Sequence, residues 1–140
     1  MTLRHLAAGL LACTLIGPAA AQPKNTATTP VPRTGGWVQR HEQFLKRAAK
    51  GDVDVLFLGD SITQGWEGNG KDAWAKHFEP LNAANFGIGG DRTQHVLWRI
   101  TEGKELDKVD PKLIVLMIGT NNVGTNSAEE IADGVKAIVG

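Results

Sequence analysis

The sequence predicts an α/β protein: helices on both faces of a parallel sheet, a three-layer α/β/α arrangement. Three observations carry that reading. First, VDVLFL (53–58) and KLIVLMI (112–118) are too uniformly apolar for half-wet strands and suit parallel strands covered on both faces. Second, each is followed by a polar or glycine-rich loop and then a stretch of helical period. Third, the order is a helix followed by strand–helix repeated three times, which calls for right-handed crossovers and a parallel sheet.

The elements follow in chain order. Trp37, His41, Phe44, Leu45 and Ala48 recur at helical spacing, and Gly51 stands where a helix-ending glycine belongs. The strand at 53–58 comes next. A helix over 72–79 takes Asp72 as N-cap, places Trp74 and Phe78 on one face and is stopped by Pro80. NAANF (82–86) is a short strand leading into GIGG. Asp91 then caps a helix bearing Val96, Leu97 and Ile100, with Gln94 three residues after the cap. After KLIVLMI, Ser127 and Glu130 form a capping box ahead of Ile131, Val135 and Ile138. The whole reads as a doubly wound, flavodoxin-like sheet in incomplete form, since such sheets usually have about five strands and three are present.

Fifteen basic and fifteen acidic residues leave the chain formally neutral, which gives no electrostatic case for nucleic acid or an anionic membrane as partner. Residues 1–21 have a charged start with Arg4, an apolar run from Leu6 to Gly17, Pro18 and then Ala19-Ala20-Ala21. This is the pattern of a secretory signal peptide cut after Ala21, so the expected location is secreted or periplasmic. The run is shorter than the roughly 20 apolar residues a membrane span needs. Cys13, the single cysteine, falls inside it, so the mature chain has no disulfide framework or thiolate metal site. Residues 22–36 are rich in Pro, Thr and Gly and read as a flexible linker, leaving 37–140 as the folded domain.

Ligands of open parallel sheets bind beyond the carboxyl ends of the strands. Three loops fall there: Gly59-Asp60-Ser61-Ile62-Thr63, Gly87-Ile88-Gly89-Gly90-Asp91 and Gly119-Thr120-Asn121-Asn122. Ser61 sits where a strand turns into a helix, so its hydroxyl can face the cleft and its amide lies at a helix N-terminus suited to an oxyanion. Gly90, without a Cβ, lets its N–H approach a ligand closely. Asn121 adds a side-chain amide donor. A nucleophile and three donors then converge on one developing negative charge.

At this point GDSIT, NFGIGGD and GTNN, in that order and each closing a strand, resemble the first three blocks of the SGNH/GDSL hydrolases. NFGIGGDRTQHVLWR is especially similar to the catalytic subunits of platelet-activating-factor acetylhydrolase and their bacterial esterase relatives. The resemblance covers residues 37–140. It implies the SGNH hydrolase fold, an ester hydrolase working through a serine acyl-enzyme, and acetyl or other short acyl groups on a small-molecule or carbohydrate ester. It makes Ser61 the nucleophile, with its own amide, the Gly90 amide and the Asn121 side chain as the oxyanion hole and Asp60 as support for the turn. It implies no cofactor and is compatible with a dimer.

One departure matters. The family's base is a histidine near the C-terminus with an aspartate three residues earlier, and nothing after Asn121 matches. The sequence reads as the N-terminal part of the domain, inactive as it stands because a serine without an adjacent base is a weak nucleophile. The alternative is a non-catalytic binding module. His41 reads as packed, His77 as solvent-facing, and His95 as the least remote substitute base. Trp66, Trp74 and Trp98 read as core or cleft wall, Arg92 as a surface ion pair and Asn122 as a turn residue. GIGGDR lacks the third glycine of a dinucleotide fingerprint, and no residue set has metal-ligand spacing.

Overall fold

A computed structural model describes residues 24–140. The expected signal peptide, with Cys13 and the expected cleavage point, lies outside the described residues. Three parallel strands form one sheet in the order β2-β1-β3: β1 Val55–Gly59, β2 Ala83–Gly87 and β3 Leu113–Met117. The register sets Gly59 beside Gly87 on one side and Met117 on the other, so all three strands end at the same level. Helix α1 (Gly36–Ala48) precedes β1, the short α2 (Ser61–Gln64) and α3 (Lys71–His77) follow it, α4 (Thr93–Ile100) follows β2, and α5 (Ala128–Val139) follows β3. The expected α/β class and the incomplete three-strand sheet are what the structure shows.

Alternation along β1 divides the core between two faces. Leu56 and Leu58 point with Ala84 and Phe86 toward α1 and α4, where Phe44 stacks on Phe86 at 4.6 Å between ring centroids. Phe57 points the other way into an aromatic group with Trp74 (5.0 Å) and Phe78 (4.9 Å), closed by Trp66 at 6.5 Å. Trp98 packs on Trp37 and His41 instead. All of these tryptophans are core or wall residues. The edge strand β3 is barely covered, with Leu113, Val115 and Met117 exposed on one face and Ile114 on the other.

Local chemistry shifts several expected boundaries. Helix α3 starts one residue earlier than expected, with Gly70 at its cap position and Asp72 inside the first turn. It gives way after His77 to a 3₁₀ turn, Glu79–Leu81, that accommodates Pro80. Asp91 does not cap α4. Arg92 occupies the cap position, its N–H bonded to His95 Nδ1 at 3.0 Å, and the Thr93 N–H is capped from the third loop by Asn122 Oδ1 at 3.0 Å. Gln94 is buried and bonds to Asn122 rather than closing a capping box. The Ser127–Glu130 box on α5 forms as expected.

Asp91 fails as a cap because it is drawn inward. With Arg99 and Glu105 it makes a wholly buried charge cluster. Arg99 Nη1 donates to Asp91 Oδ2 at 2.9 Å, its Nε and Nη2 donate to Glu105, and Nη2 also reaches the Phe86 carbonyl. Trp37 Nε1 donates to Asp91 Oδ1 at 2.7 Å and His41 Nδ1 meets Glu105 Oε1 at 2.6 Å. Among the described residues no buried side-chain nitrogen or oxygen lacks a partner.

The Pro/Thr-rich lead is also corrected. Residues 24–35 are docked rather than free, because their polar atoms find partners on α4 and α5. Ala27 is fully buried, its carbonyl accepting from Thr93 Oγ1, while Asn25 bonds the Glu130 carbonyl and Val31 N–H the Gln94 carbonyl.

Replacing Arg99 by leucine removes the buried cation that Asp91 and Glu105 share, leaving Asp91 only the half-buried Arg33 and Glu105 only His41. Removing one partner of a buried pair costs about 3–5 kcal/mol, so Arg99→Leu is expected to move the urea midpoint down by that equivalent. An unchanged midpoint would show the cluster to be dispensable.

Candidate active site

The turn from β1 into α2 presents the serine. Asp60, 1% exposed, accepts the Ile62 N–H at Oδ1 (2.9 Å), which holds the first turn of α2 and leaves Ser61 at its outer, exposed corner. The Ser61 N–H, at the first helical position, has no acceptor within the helix and none elsewhere among the described residues.

The second loop is pressed against this turn. A Cβ on Gly87 would collide with the backbone of Asp60, Thr63 and Gln64, so only glycine lets β2 end this close to α2. Asn85 ties the same pieces together, donating to the Thr63 carbonyl (2.8 Å) and accepting the Gly87 N–H (2.9 Å). Gln64 Oε1 takes the Gly89 N–H at 2.7 Å. Beyond it, Ile88–Asp91 close a β-turn through Asp91 N–H to the Ile88 carbonyl (3.1 Å), with Gly90 at φ +78°. A Cβ on Gly89 would lie 3.8 Å from Ser61 Cβ. The Gly90 N–H donates to no protein group among the described residues.

The third loop closes the group. Asn121 Nδ2 donates to the Asp91 carbonyl at 2.8 Å and reaches Asp60 Oδ2 at 3.4 Å. Asn121 is therefore bonded to the residue before Ser61 and to the residue after Gly90. The structure brings Ser61, Gly90 and Asn121 together with Asp60 at one edge of the sheet.

The histidines lie elsewhere. His41 is buried against Glu105, His77 is exposed on α3, and His95 Nδ1 is occupied by the Arg92 N–H. No hydrogen bond joins any of them to Ser61 among the described residues. Arg92 makes no ion pair there either. Asn122 is far more than a turn residue: fully buried, it bonds Thr93, Gln94 and Asn126 and so fastens the third loop to α4. Among the described residues no group of three or more His, Cys, Asp or Glu is placed to hold a metal.

Reasoning from the sequence missed Gln64, Asn85, Asn122 and Arg33. The asparagine beside each glycine block was a signal of local side-chain-to-backbone bonding. Arg33, in a stretch read as linker, gave none.

A serine that opens a helix at the carboxyl edge of a parallel sheet, with the glycine loop against it and Asn121 bonded to its neighbour Asp60, is chemically suited to acyl transfer over an oxyanion hole. The family model of the GDSL-like lipase/acylhydrolases matches residues 57–140, and the chain belongs to that family. It is 48% identical over 103 residues to platelet-activating factor acetylhydrolase IB subunit alpha2 of Homo sapiens, covering 74% of this chain and 43% of that protein. It is 42% identical over 121 residues to subunit alpha1 of Bos taurus (83% of this chain, 50% of that protein). It is 48% identical over 114 residues to the beta-subunit homolog of Drosophila melanogaster (79% and 49%). The chain thus spans at most half the length of these relatives.

Burial disfavours protonation of the His95 imidazole, pulling its pKa below the ordinary 6.5. Arg33, Arg92 and Arg99 add to this and Asp91 opposes it. The unfolded chain therefore binds a proton that the folded one resists. The stability that results is full above about 6.5 and is lost as pH falls through the lower folded-state value. His95→Gln should flatten the fall in urea midpoint between roughly pH 7 and 5.5; equal slopes for variant and parent would contradict this.

Proposed function

We propose that this chain carries the nucleophile and oxyanion donors of a serine ester hydrolase acting on acetyl or other short acyl esters. The observation supporting it most strongly is the exposed Ser61 in one cluster with its own N–H and the Gly90 N–H, neither donating to a protein group among the described residues, and the Asn121 amide. Ser61 Oγ attacks the ester carbonyl carbon. The carbonyl oxygen takes up negative charge between those donors, and the C–O bond to the alcohol breaks to leave an acyl-serine that water hydrolyses. Of the two Asn121 contacts the 3.4 Å one to Asp60 is the weaker, so that N–H is the one free to turn to the oxyanion. "Acetylhydrolase" in the relatives' names supports a short acyl group.

Proton removal from Ser61 calls for a base that none of the described histidines supplies by contact. On this reading the 140-residue chain hydrolyses esters at the residual level that oxyanion donors sustain, about 1,000- to 10,000-fold above water. A non-catalytic binding role is the alternative that the missing base favours. With p-nitrophenyl acetate, the parent should slowly acquire an acetyl group on Ser61, detected by mass spectrometry, and Asn121→Ala should acquire it about 100-fold more slowly. Ser61→Ala should acquire none at this position while keeping the residual turnover of the oxyanion donors. A parent that turns the ester over with no acyl group ever on Ser61 would remove the esterase reading.

Export belongs to the same proposal and rests on the N-terminal pattern alone. Expressed with its natural N-terminus in a bacterial host, the protein should be recovered outside the cytoplasm beginning at Gln22; recovery from the cytoplasm beginning at Met1 would contradict it.

A further inference from the structure

The Gly89–Gly90 peptide is the weak point of the oxyanion hole. In the turn Ile88–Asp91 it is the central peptide, and Gly90 at φ +78° occupies the third position of a type II turn. Type I and type II turns differ by rotation of this one peptide. Two glycines flank it, so no Cβ resists that rotation. Because a trans peptide is planar, its C=O and N–H point in opposite directions. Whatever holds the Gly89 carbonyl therefore aims the Gly90 N–H.

Arg33 holds it. Its Nη1 donates to the Gly89 carbonyl at 2.9 Å and to Asp91 Oδ1 at 3.0 Å. The buried Asp91 is itself fixed by Arg99 and Trp37, so the guanidinium is anchored to a rigid charge while it grips the carbonyl. A Cβ on Gly90 would meet that guanidinium at 3.4 Å, whereas a Cβ on Gly89 would face Ser61 at 3.8 Å. The turn thus lies between Arg33 and Ser61. With the carbonyl turned to Arg33, the N–H is directed away from it. Arg33 reaches this place only because residues 24–35 are docked on α4 and α5.

We propose that Arg33 is a positioning residue that fixes the Gly90 N–H as an oxyanion donor, making the N-terminal strap part of the catalytic apparatus. The proposal rests on the esterase reading above. Its consequence is that Arg33, which touches neither Ser61 nor an ester, governs the chemical step. Its side chain is 36% exposed and the buried Asp91 keeps Arg99 and Trp37, so its loss should weaken the fold less than loss of Arg99.

The test uses the full chain and a small alkyl methylphosphonofluoridate. Ser61 Oγ forms a bond to phosphorus, the P–F bond breaks, fluoride leaves and the serine proton passes to water. Adduct formation on Ser61 is followed by mass spectrometry, and crystal structures of parent and variant give the orientation of the Gly89–Gly90 peptide. Arg33→Ala should label about 100-fold more slowly, the scale of losing one oxyanion donor. It should show the peptide rotated and keep a melting temperature above that of Arg99→Leu. Arg33→Lys, which retains a cationic donor, should recover much of the rate, and it carries the comparison should the alanine variant not fold. Labelling of Arg33→Ala at the parental rate, or an unrotated peptide in its structure, would overturn the proposal. If the parent itself does not label at Ser61, the esterase reading fails, and the peptide orientation in Arg33→Ala still decides whether Arg33 positions the turn.

Discussion

Asp91 is the node on which both the fold and the site turn. Its carboxylate is fully buried and shared among Arg99, Trp37 and Arg33, while its carbonyl accepts the Asn121 amide. A buried carboxylate is tolerable only when its charge and lone pairs are met. Meeting them fixes α1, α4 and the N-terminal strap around the end of β2. The same residue that satisfies the core thereby sets where the second and third loops stand relative to Ser61.

The carboxyl edge is built almost entirely from side-chain-to-backbone bonds across loops. Asp60 holds the Ile62 amide, Asn85 the Thr63 carbonyl, Gln64 the Gly89 amide, Asn121 the Asp91 carbonyl and Asn122 the Thr93 amide. Oriented dipoles of this kind are useful to catalysis because they need no rearrangement when charge appears. The amides of Ser61 and Gly90 are among the loop donors that meet no protein acceptor among the described residues.

Much of this was legible in the sequence. The uniformly apolar runs at 53–58 and 112–118 announced β1 and β3, and glycine-bearing loops at each strand end announced a common site, because ligand clefts of parallel sheets lie there. What was hidden depended on long-range partners. Asp91 has the sequence context of a helix cap, and nothing local says that Arg99 and Trp37 will draw it inward. Asn122 follows Asn121 in a turn-forming stretch, yet its bonds reach about one domain layer away to α4. Pro/Thr-rich composition signals a free linker on average, and it cannot reveal that Asn25, Thr26 and Val31 find partners on α4, α5 and the loop before α5. The uncovered β3, with Leu113, Ile114, Val115 and Met117 exposed, fits a chain that spans at most half the length of its relatives.

The central claim is geometric: the Ser61 hydroxyl and three N–H donors surround one oxygen position. A crystal structure of the chain with a phosphonyl group bonded to Ser61 Oγ tests it most directly. The account places the phosphoryl oxygen about 2.7–3.1 Å from the Ser61 N, the Gly90 N and Asn121 Nδ2 together. A phosphoryl oxygen turned to solvent, with Gly90 and Asn121 out of reach, would contradict it.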